Sequence, residues 1–289
     1  MDKLVSVVLG SYNRKKFLRL TIDSIRKELM NFSIPGEIIV VDGGSGDGSV
    51  EWLIKQKDII TIIQNNHGTW NGAPVKKKSW GGFMNLGFKC AKGNYICMVS
   101  DDCLIVPGAI KNGIDLVEEY SSNGEKIGGA AFYWRDIPGE AKYWAGSLFD
   151  KTYLINHGIF TSEALSEAGY IDENSFRFYF ADADLCLRLN ELGYNILLSE
   201  KSFIEHYSHA NVKQRKTNAR STDTDYKAYL ARWEQKQMRT NPYFSREKGL
   251  VYYSDPNDTY KQFRKAQLIS YHHLLSNTKK IVKKMIGKG

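Results

Sequence analysis

Long apolar segments are absent from the sequence. No run of about 18 apolar residues, the length that predicts a membrane-spanning helix, occurs in its 289 residues. The apolar stretch Leu4–Leu9 near the start is shorter than the apolar region of a signal peptide. We therefore expect a cytoplasmic protein.

Cysteine is scarce and lacks a metal-binding spacing. The four cysteines, Cys90, Cys97, Cys103 and Cys186, include no Cys-x-x-Cys pair. Three of them lie in apolar surroundings, which predicts reduced packing residues in a cytosolic protein.

Two glycine-rich nucleotide fingerprints are also missing. Neither Gly-x-Gly-x-x-Gly nor Gly-x-x-x-x-Gly-Lys-Ser/Thr occurs in the chain. NAD chemistry and P-loop chemistry are therefore not expected.

The composition that is present is typical of a folded, soluble protein. Hydrophobic residues make up 42% and charged residues 25%, which argues against disorder. Positive charge is concentrated near the end, since residues 213–289 carry 18 Lys and Arg against 6 Asp and Glu. Such a basic region predicts a surface that faces nucleic acid or anionic lipid.

Strands and helices alternate over residues 1–135. Short apolar runs predict the strands, and segments with helical spacing predict the helices between them. From the first strand on, the order is Leu4–Leu9, Lys16–Leu29, Glu37–Val41, Ser49–Lys57, Ile59–Gln64, Trp80–Ala91, Tyr95–Ser100 and Pro107–Glu119. This α/β pattern predicts a mostly parallel, Rossmann-like sheet with helices on both faces.

A pair of acids follows the fourth predicted strand. Asp101 and Asp102 come directly after Tyr95–Ser100, at the sheet edge where α/β folds bind ligands. Mg²⁺ and Mn²⁺ are often bound by one or two carboxylates together with substrate phosphates. An ordinary turn is the alternative, since Asp is common in turns.

Two earlier loops are typical of nucleotide contacts. Gly10–Arg14 offers free backbone amides and an aromatic ring that can stack on a base. Asp42 ends the second strand, where an acid can accept hydrogen bonds from ribose or a base, and the glycines after it allow close approach. Asp47 is instead interpreted as a cap of the helix from Ser49.

A third polar group begins a predicted helix. Asp182 and Asp184 lie at or near its start, and Arg188 lies one turn after Asp184, which predicts a local salt bridge for Asp184. The aromatic approach Phe176–Phe180 shields Asp182 from water and favours a raised pKa, as a general base needs. A helix cap is the alternative for Asp182.

Together these motifs resemble family 2 glycosyltransferases of the GT-A fold, of the kind that build bacterial cell-surface polysaccharides. The matching segments are Ser6–Arg14, Val41–Ser49, Trp80–Phe88, Ser100–Ile110 and Ala181–Leu189, within residues 3–212. Cys103 stands where many members carry a third acid, and Ala181 replaces the usual Glu of the acceptor-side motif.

The resemblance implies roles for individual residues. Asp102 aligns with the metal-ligating acid, His206 lies at about the distance of a metal-ligating His, and Asp182 aligns with the catalytic base. His209 is an alternative to His206, and Asp184 an alternative to Asp182. The residues implied to contact the nucleotide are Ser11, Tyr12, Asn13, Asp42, Asn85 and Asp101.

The expected activity is transfer of a sugar, with inversion, from a nucleoside-diphosphate sugar to a glycan or lipid-linked acceptor, using Mn²⁺ or Mg²⁺. A nucleotidyltransferase and a non-catalytic sugar or nucleic-acid binder are the alternatives, although nucleic acid is not favoured. We expect a catalytic domain of residues 1–212 and a basic, mainly helical region of residues 213–289. Asn277–Lys288 mixes apolar residues and lysines, typical of a helix at an anionic membrane, with a solvated basic end as the alternative.

Overall fold

The computed structural model describes residues 4–136, 143–148, 152–207 and 218–234, together with the backbone of residues 245–249. The seven α-helices of this part are α1 Lys15–Asn31, α2 Ser49–Leu53, α3 Trp80–Cys90, α4 Ala109–Ser122, α5 Ser162–Glu167, α6 Ala181–Glu191 and α7 Thr222–Trp233. The strands are β1 Val5–Ser11, β2 Gly36–Asp42, β3 Ile59–Ile63, β4 Thr69–Trp70, β5 Ala73–Pro74, β6 Tyr95–Met98, β7 Cys103–Ile105, β8 Ile127–Asp136, β9 Tyr143–Leu148, β10 Thr152–Tyr153, β11 Gly158–Thr161, β12 Asn195–His206 and β13 Ser245–Gly249.

Eleven of these strands form one mixed sheet, whose amino-terminal half is parallel. β3, β2, β1 and β6 lie side by side in that order, and all three pairings are parallel. Their side chains are apolar on both faces because helices cover both. Leu18 and Ile22 of α1 pack on one face with α4, while Met84 and Phe88 of α3 pack on the other with α6.

Helix α3 approaches the sheet closely because of one glycine. A Cβ atom added to Gly87 would lie 2.4 Å from a methyl carbon of Val8, well inside van der Waals contact. Any larger residue at this position would push α3 away from β1. The glycine therefore fixes the depth at which this helix packs.

The second half of the sheet is largely antiparallel. β11 lies antiparallel between β6 and β8, and β9 continues the sheet beyond β8. β12 pairs in parallel with β8 and antiparallel with β7. The long strand β12 thus connects the short strand after the acid pair with the rest of the sheet.

The α/β fold class predicted from the sequence is confirmed. The eight predicted elements of residues 1–135 are all present, although the helix predicted at Ser49–Lys57 ends at Leu53. Strands β8 to β11 were not predicted. Among the helices of the described ranges, none combines the length and apolar character that crossing a membrane requires.

Helix α7 lies after the predicted domain boundary and packs into the same core as α6. Tyr229 and Trp233 are buried there. The boundary at residue 212 remains a prediction, and the helical segments predicted after residue 234, including Asn277–Lys288, lie outside the described residues.

Asp225 of α7 stabilises the loop before α6. Its buried carboxylate accepts hydrogen bonds from the backbone amides of Arg177, Phe178 and Tyr179 at 2.8–2.9 Å. Asp225→Ala leaves three amides without this acceptor, so we expect a loss of about 2–4 kcal/mol in the free energy of unfolding. Urea denaturation measures the loss. Asp223→Ala, an exposed acid of the same turn, is the control and should change stability by less than about 0.5 kcal/mol; equal stabilities would contradict the role of Asp225.

Candidate active site

The turn that carries the acid pair is fixed by its backbone. The Thr21 hydroxyl donates to the Cys103 carbonyl oxygen at 2.7 Å and accepts from the Cys103 amide at 3.2 Å. The Tyr207 amide donates to the Asp102 carbonyl oxygen at 2.8 Å. Bonds from α1 and from the end of β12 therefore position both carboxylates at the carboxyl edge of β6.

Arg14 bridges the two acids. A single guanidinium nitrogen, Nη1, donates to Asp101 Oδ1 at 2.8 Å and to Asp102 Oδ2 at 2.7 Å. Both carboxylates are buried, and an isolated pair of buried negative charges is costly. The guanidinium supplies the positive charge that allows these groups to lie side by side.

The pKa values of the pair move in opposite directions. Burial raises the pKa of Asp101, and the charge of Asp102 adds to that rise against the effect of Arg14. Burial also acts upward on the pKa of Asp102, but Arg14 and His206 outweigh it and lower that pKa. Asp102 is therefore the more acidic of the two groups.

His206 reaches this turn through the register of β12. Its neighbours across the two adjacent strands are Cys103 of β7 and Asp136 of β8. Nδ1 of His206 lies 2.7 Å from Asp136 Oδ1, and Nε2 lies 3.5 Å from Asp102 Oδ1. Burial lowers the pKa of His206, yet the two carboxylates raise it more, to about 9.

This arrangement fits a divalent cation. Asp102 Oδ1 is buried and has no hydrogen-bond partner, so an oxygen ligand and the imidazole Nε2 face the same place. A carboxylate on the other imidazole nitrogen is the usual partner of a metal-ligating histidine, and Asp136 provides it. The predicted metal ligands Asp102 and His206 are thus brought together, whereas His209 lies outside the described residues.

A cleft of about 700 Å³ opens beside the acid pair. Four of the residues predicted to contact a nucleotide line it, namely Ser11, Tyr12, Asn13 and Asp101. Arg14, Lys77, Lys78 and Arg177 also line it and make the cleft suitable for phosphate groups. The ring of Tyr12 stacks on that of His67 at a centroid distance of 4.7 Å.

Asp42 and Asn85, the other two predicted nucleotide ligands, are buried and bonded to neighbouring backbone. Asp42 accepts from the amides of Gly44 and Ser45 and from the Ser45 hydroxyl, at 2.7–2.9 Å. The side-chain amide of Asn85 donates to the Ile171 carbonyl oxygen and accepts from its amide. In the structure both side chains therefore stabilise neighbouring segments of backbone. Their contact with a nucleotide stays a prediction.

Asp42 also acts on the first loop through Ser45. The Ser45 hydroxyl accepts from the Asn13 amide at 2.8 Å, while Asn13 Oδ1 accepts from the Gly46 amide. Asn13 has a φ of 53°, a conformation that this pair of bonds stabilises. The two loops at the cleft are consequently one bonded unit.

Asp42→Ala should weaken binding of nucleosides and of nucleotide sugars together, because it releases both loops. Calorimetric titration with a nucleoside and its diphosphate measures the effect. Ser45→Ala is the matched control: it cuts the connection to Asn13 but leaves the Asp42 carboxylate. Equal loss in both variants would show that Asp42 acts by positioning the loops, and unchanged nucleoside affinity in Asp42→Ala would contradict any role in binding.

Asp182 and Asp184 have different surroundings at the start of α6. Asp182 is partly buried, and its Oδ2 accepts from Asn156 Nδ2 at 2.9 Å; Asn156 in turn lines the cleft. Burial raises the pKa of Asp182 against these hydrogen bonds. Asp184 is fully buried, and the predicted salt bridge with Arg188 is present at 2.8 Å.

Asp184 has further partners from α7. Arg232 and the indole nitrogen of Trp233 both donate to its Oδ1, at 2.7 and 3.0 Å. With both oxygens taken by structural partners, Asp184 serves the packing of α7 on α6. Of the two acids, Asp182 is the one connected to the cleft.

Three residues of the site escaped the analysis of the sequence. Arg14 lies in a loop that was singled out, but its charge was not connected with the acid pair. Asn156 and Asp136 belong to no recognisable motif. Pairing of β8 with β12 brings Asp136 to the site, and the loop between β10 and β11 brings Asn156. The one available signal was the acid pair itself. Two buried carboxylates require a positive charge nearby, and Arg14 is a charged residue in the loop after the first strand.

Residues 6–134 match the family model described as "Glycosyl transferase family 2". The resemblance is confirmed. The chain is 32% identical to the glycosyltransferase GlyG of Streptococcus pneumoniae over 123 residues. This alignment covers 41% of this chain and 36% of that protein. The chain thus spans about a third of the length of this curated relative.

Solved structures agree with the GT-A fold. Residues 1–349 of Staphylococcus aureus TarS in complex with UDP-GlcNAc superpose with a TM-score of 0.55 and 17% identity, covering 78% of this chain and 66% of that one. The mannosyltransferase PcManGT from Pyrobaculum calidifontis, in complex with GDP-Man and Mn²⁺, gives a TM-score of 0.55 and 15% identity, covering 83% and 65%. The GT-A fold therefore positions the residues of the site.

Proposed function

We propose that the protein transfers a sugar from a nucleoside-diphosphate sugar to an acceptor hydroxyl, with a divalent metal and with inversion at the anomeric carbon. The observation that carries this proposal is the buried Asp102 Oδ1, which accepts no hydrogen bond and faces His206 Nε2 at 3.5 Å beside a cleft rich in cationic side chains. The solved relatives support the donor class, since they contain UDP-GlcNAc and GDP-Man.

Asp102 and His206 would hold the cation, and Asp136 would orient the imidazole. When bound there, Mn²⁺ or Mg²⁺ supplies Lewis-acid stabilisation of the negative charge that develops on the departing diphosphate. Arg14 lines the cleft and supplies a fixed positive charge next to the acid pair. The mixed oxygen and nitrogen ligands favour Mn²⁺ over Mg²⁺.

Asp182 is the proposed general base. Its carboxylate takes the proton of the acceptor hydroxyl while that oxygen attacks the anomeric carbon from the face opposite the leaving diphosphate. Asn156 orients the carboxylate through the bond to Oδ2 and lies at the cleft itself. A single displacement of this kind inverts the configuration and needs no covalent intermediate.

The acceptor is proposed to be a saccharide or a lipid-linked saccharide of a polysaccharide pathway. One named relative, TarS of Staphylococcus aureus, is a poly(ribitol-phosphate) β-N-acetylglucosaminyltransferase and matches 41% of this chain at 24% identity. The excess of Lys and Arg in residues 213–289 supports attachment to an anionic membrane surface that carries such an acceptor.

Calorimetric titration with UDP and GDP, with and without Mn²⁺, tests the proposal. We expect one of the two nucleotides to bind at least about tenfold more tightly with Mn²⁺ present, because a cation held by Asp102 and His206 would offset the negative charge of the diphosphate. The matching nucleotide sugars are then screened for metal-dependent hydrolysis. Failure of both nucleotides to bind would overturn the proposal.

A further inference from the structure

Three soft metal ligands cluster next to the acid pair. The Cys103 thiol and the imidazoles of His157 and His206 place one ligand atom each within 4.8 Å of one another. Cys103 and His157 are buried, and their Sγ to Nε2 distance is 3.8 Å. Trp134 covers both imidazoles, with ring centroids 5.2 Å from His157 and 5.8 Å from His206.

Asp102 adjoins this cluster and offers a fourth ligand. Asp102 Oδ1, buried and without a hydrogen-bond partner, lies 3.5 Å from His206 Nε2. Zinc bonds of about 2.0–2.3 Å in a tetrahedron separate ligand atoms by about 3.3–3.7 Å. The 3.8 Å between Cys103 Sγ and His157 Nε2 and the 3.5 Å between Asp102 Oδ1 and His206 Nε2 are close to these values.

We propose that Cys103, His157, His206 and Asp102 form a zinc site that overlaps the site of the oxygen-preferring cation. The set has one sulfur, two nitrogens and one oxygen, which favours Zn²⁺ over Mn²⁺ or Mg²⁺. When Zn²⁺ binds at neutral pH, the Cys103 thiol and the protonated His206 imidazole each release a proton to solvent. One thiolate and one carboxylate then balance the two charges of the ion, so the buried site is neutral.

Zinc at this site is inhibitory, because it takes Asp102 and His206 away from the cation that accompanies the donor. Cys103 and His157 are the residues that distinguish the two sites, since neither is needed for the oxygen-ligated cation. The inhibition rests on the proposed transferase function, whereas zinc binding does not.

Binding is tested with Co²⁺ as a spectroscopic substitute and with Zn²⁺ competition. We expect the wild-type protein to bind one Co²⁺ with a sulfur-to-cobalt charge-transfer band that Zn²⁺ abolishes. Cys103→Ala should remove the band and weaken zinc binding by at least about 100-fold, and His157→Gln should weaken it by about 10–100-fold. Cys97→Ser, which alters a buried thiol of neighbouring β6, is the matched control and should keep the band.

Two outcomes separate this site from the proposed function. Absence of the charge-transfer band in folded wild-type protein, or zinc affinity equal in wild type, Cys103→Ala and His157→Gln, would overturn the zinc site. Micromolar zinc should inhibit Mn²⁺-dependent transfer in wild type and in Cys97→Ser far more than in Cys103→Ala, each compared with its own zinc-free rate. Equal inhibition of wild type and Cys103→Ala by zinc would overturn the inhibitory role. If zinc binding depends on Cys103 but the protein shows no transferase activity, the proposed transferase function alone is refuted and the zinc site stands.

Discussion

Replacement of Asp182 by Asn is expected to reduce sugar transfer by about 10²–10⁴-fold while donor affinity stays within a few-fold. The amide cannot accept the proton of the acceptor hydroxyl, but it keeps the shape of the carboxylate and an oxygen for the Asn156 bond. Single-turnover transfer and donor titration measure the two quantities separately. A cap at the start of α6 would predict little loss of rate, because Asn caps helices as well as Asp does.

Asp184→Asn is the matched control for this prediction. It weakens the bonds to Arg188 and Arg232, so it should lower the free energy of unfolding, with a much smaller change in transfer rate per folded molecule. Near wild-type transfer by Asp182→Asn would remove Asp182 from the mechanism.

The pH dependence of transfer follows from the same residue. A general base acts only when deprotonated, and burial raises the pKa of Asp182 above its ordinary value. Transfer should therefore decline on acidification at a higher pH than an exposed carboxylate would give. In Asp182→Asn this limb of the profile should disappear.

Asp102→Ala should abolish the part of nucleotide binding that depends on Mn²⁺. The substitution removes the unpartnered oxygen and leaves His206 as a single ligand, which is too few for a hard cation. Arg14 keeps Asp101 as its counter-ion, so the fold should survive. Titration of the nucleoside diphosphate with and without Mn²⁺ measures the difference.

Asp115→Ala serves as the control for the loss of one negative charge. Asp115 lies exposed on α4 and pairs with Lys111 one turn before it. Its removal should leave Mn²⁺-dependent affinity unchanged. If the Asp102→Ala variant also kept that affinity, the assignment of the cation site would be wrong.

The amino-terminal half of the fold was predictable because its signals are local. Strands β1, β2, β3 and β6 are continuous apolar runs, and the helices between them repeat apolar residues at helical spacing. Each such signal is contained within a few residues. The motifs at the ends of these strands could therefore be placed at one sheet edge before any coordinates were known.

Strands β8 to β11 were missed for a physical reason. Ile127–Asp136 begins with Ile-Gly-Gly-Ala-Ala, and glycine and alanine have little strand preference of their own. What makes this segment a strand is pairing with β11 and β12, whose residues lie 27 to 70 positions away along the chain. The same pairing puts Asp136 beside His206, so a local sequence pattern could not predict that contact either.

The candidate site shows the same division. The acid pair, Asp182 and His206 lie in or near recognisable motifs, so they could be predicted from the sequence. Arg14, Asn156 and His157 acquire their roles only from tertiary contacts. Cys103 stands out in the sequence only as the replacement of a third acid. In the structure it is buried, and β12 brings an imidazole next to it.

Strand β12 also determines when the site can form during synthesis. A ribosome adds about 5–20 residues per second, so His206 follows Asp102 out of the ribosome by about 5–20 s. During that interval the nascent chain carries the acid pair with Arg14 as its counter-ion but lacks the histidine that completes the cation site. The two proposed ligands of the cation therefore become available in a fixed order, and a nascent chain that stalls before β12 emerges offers Asp102 without His206.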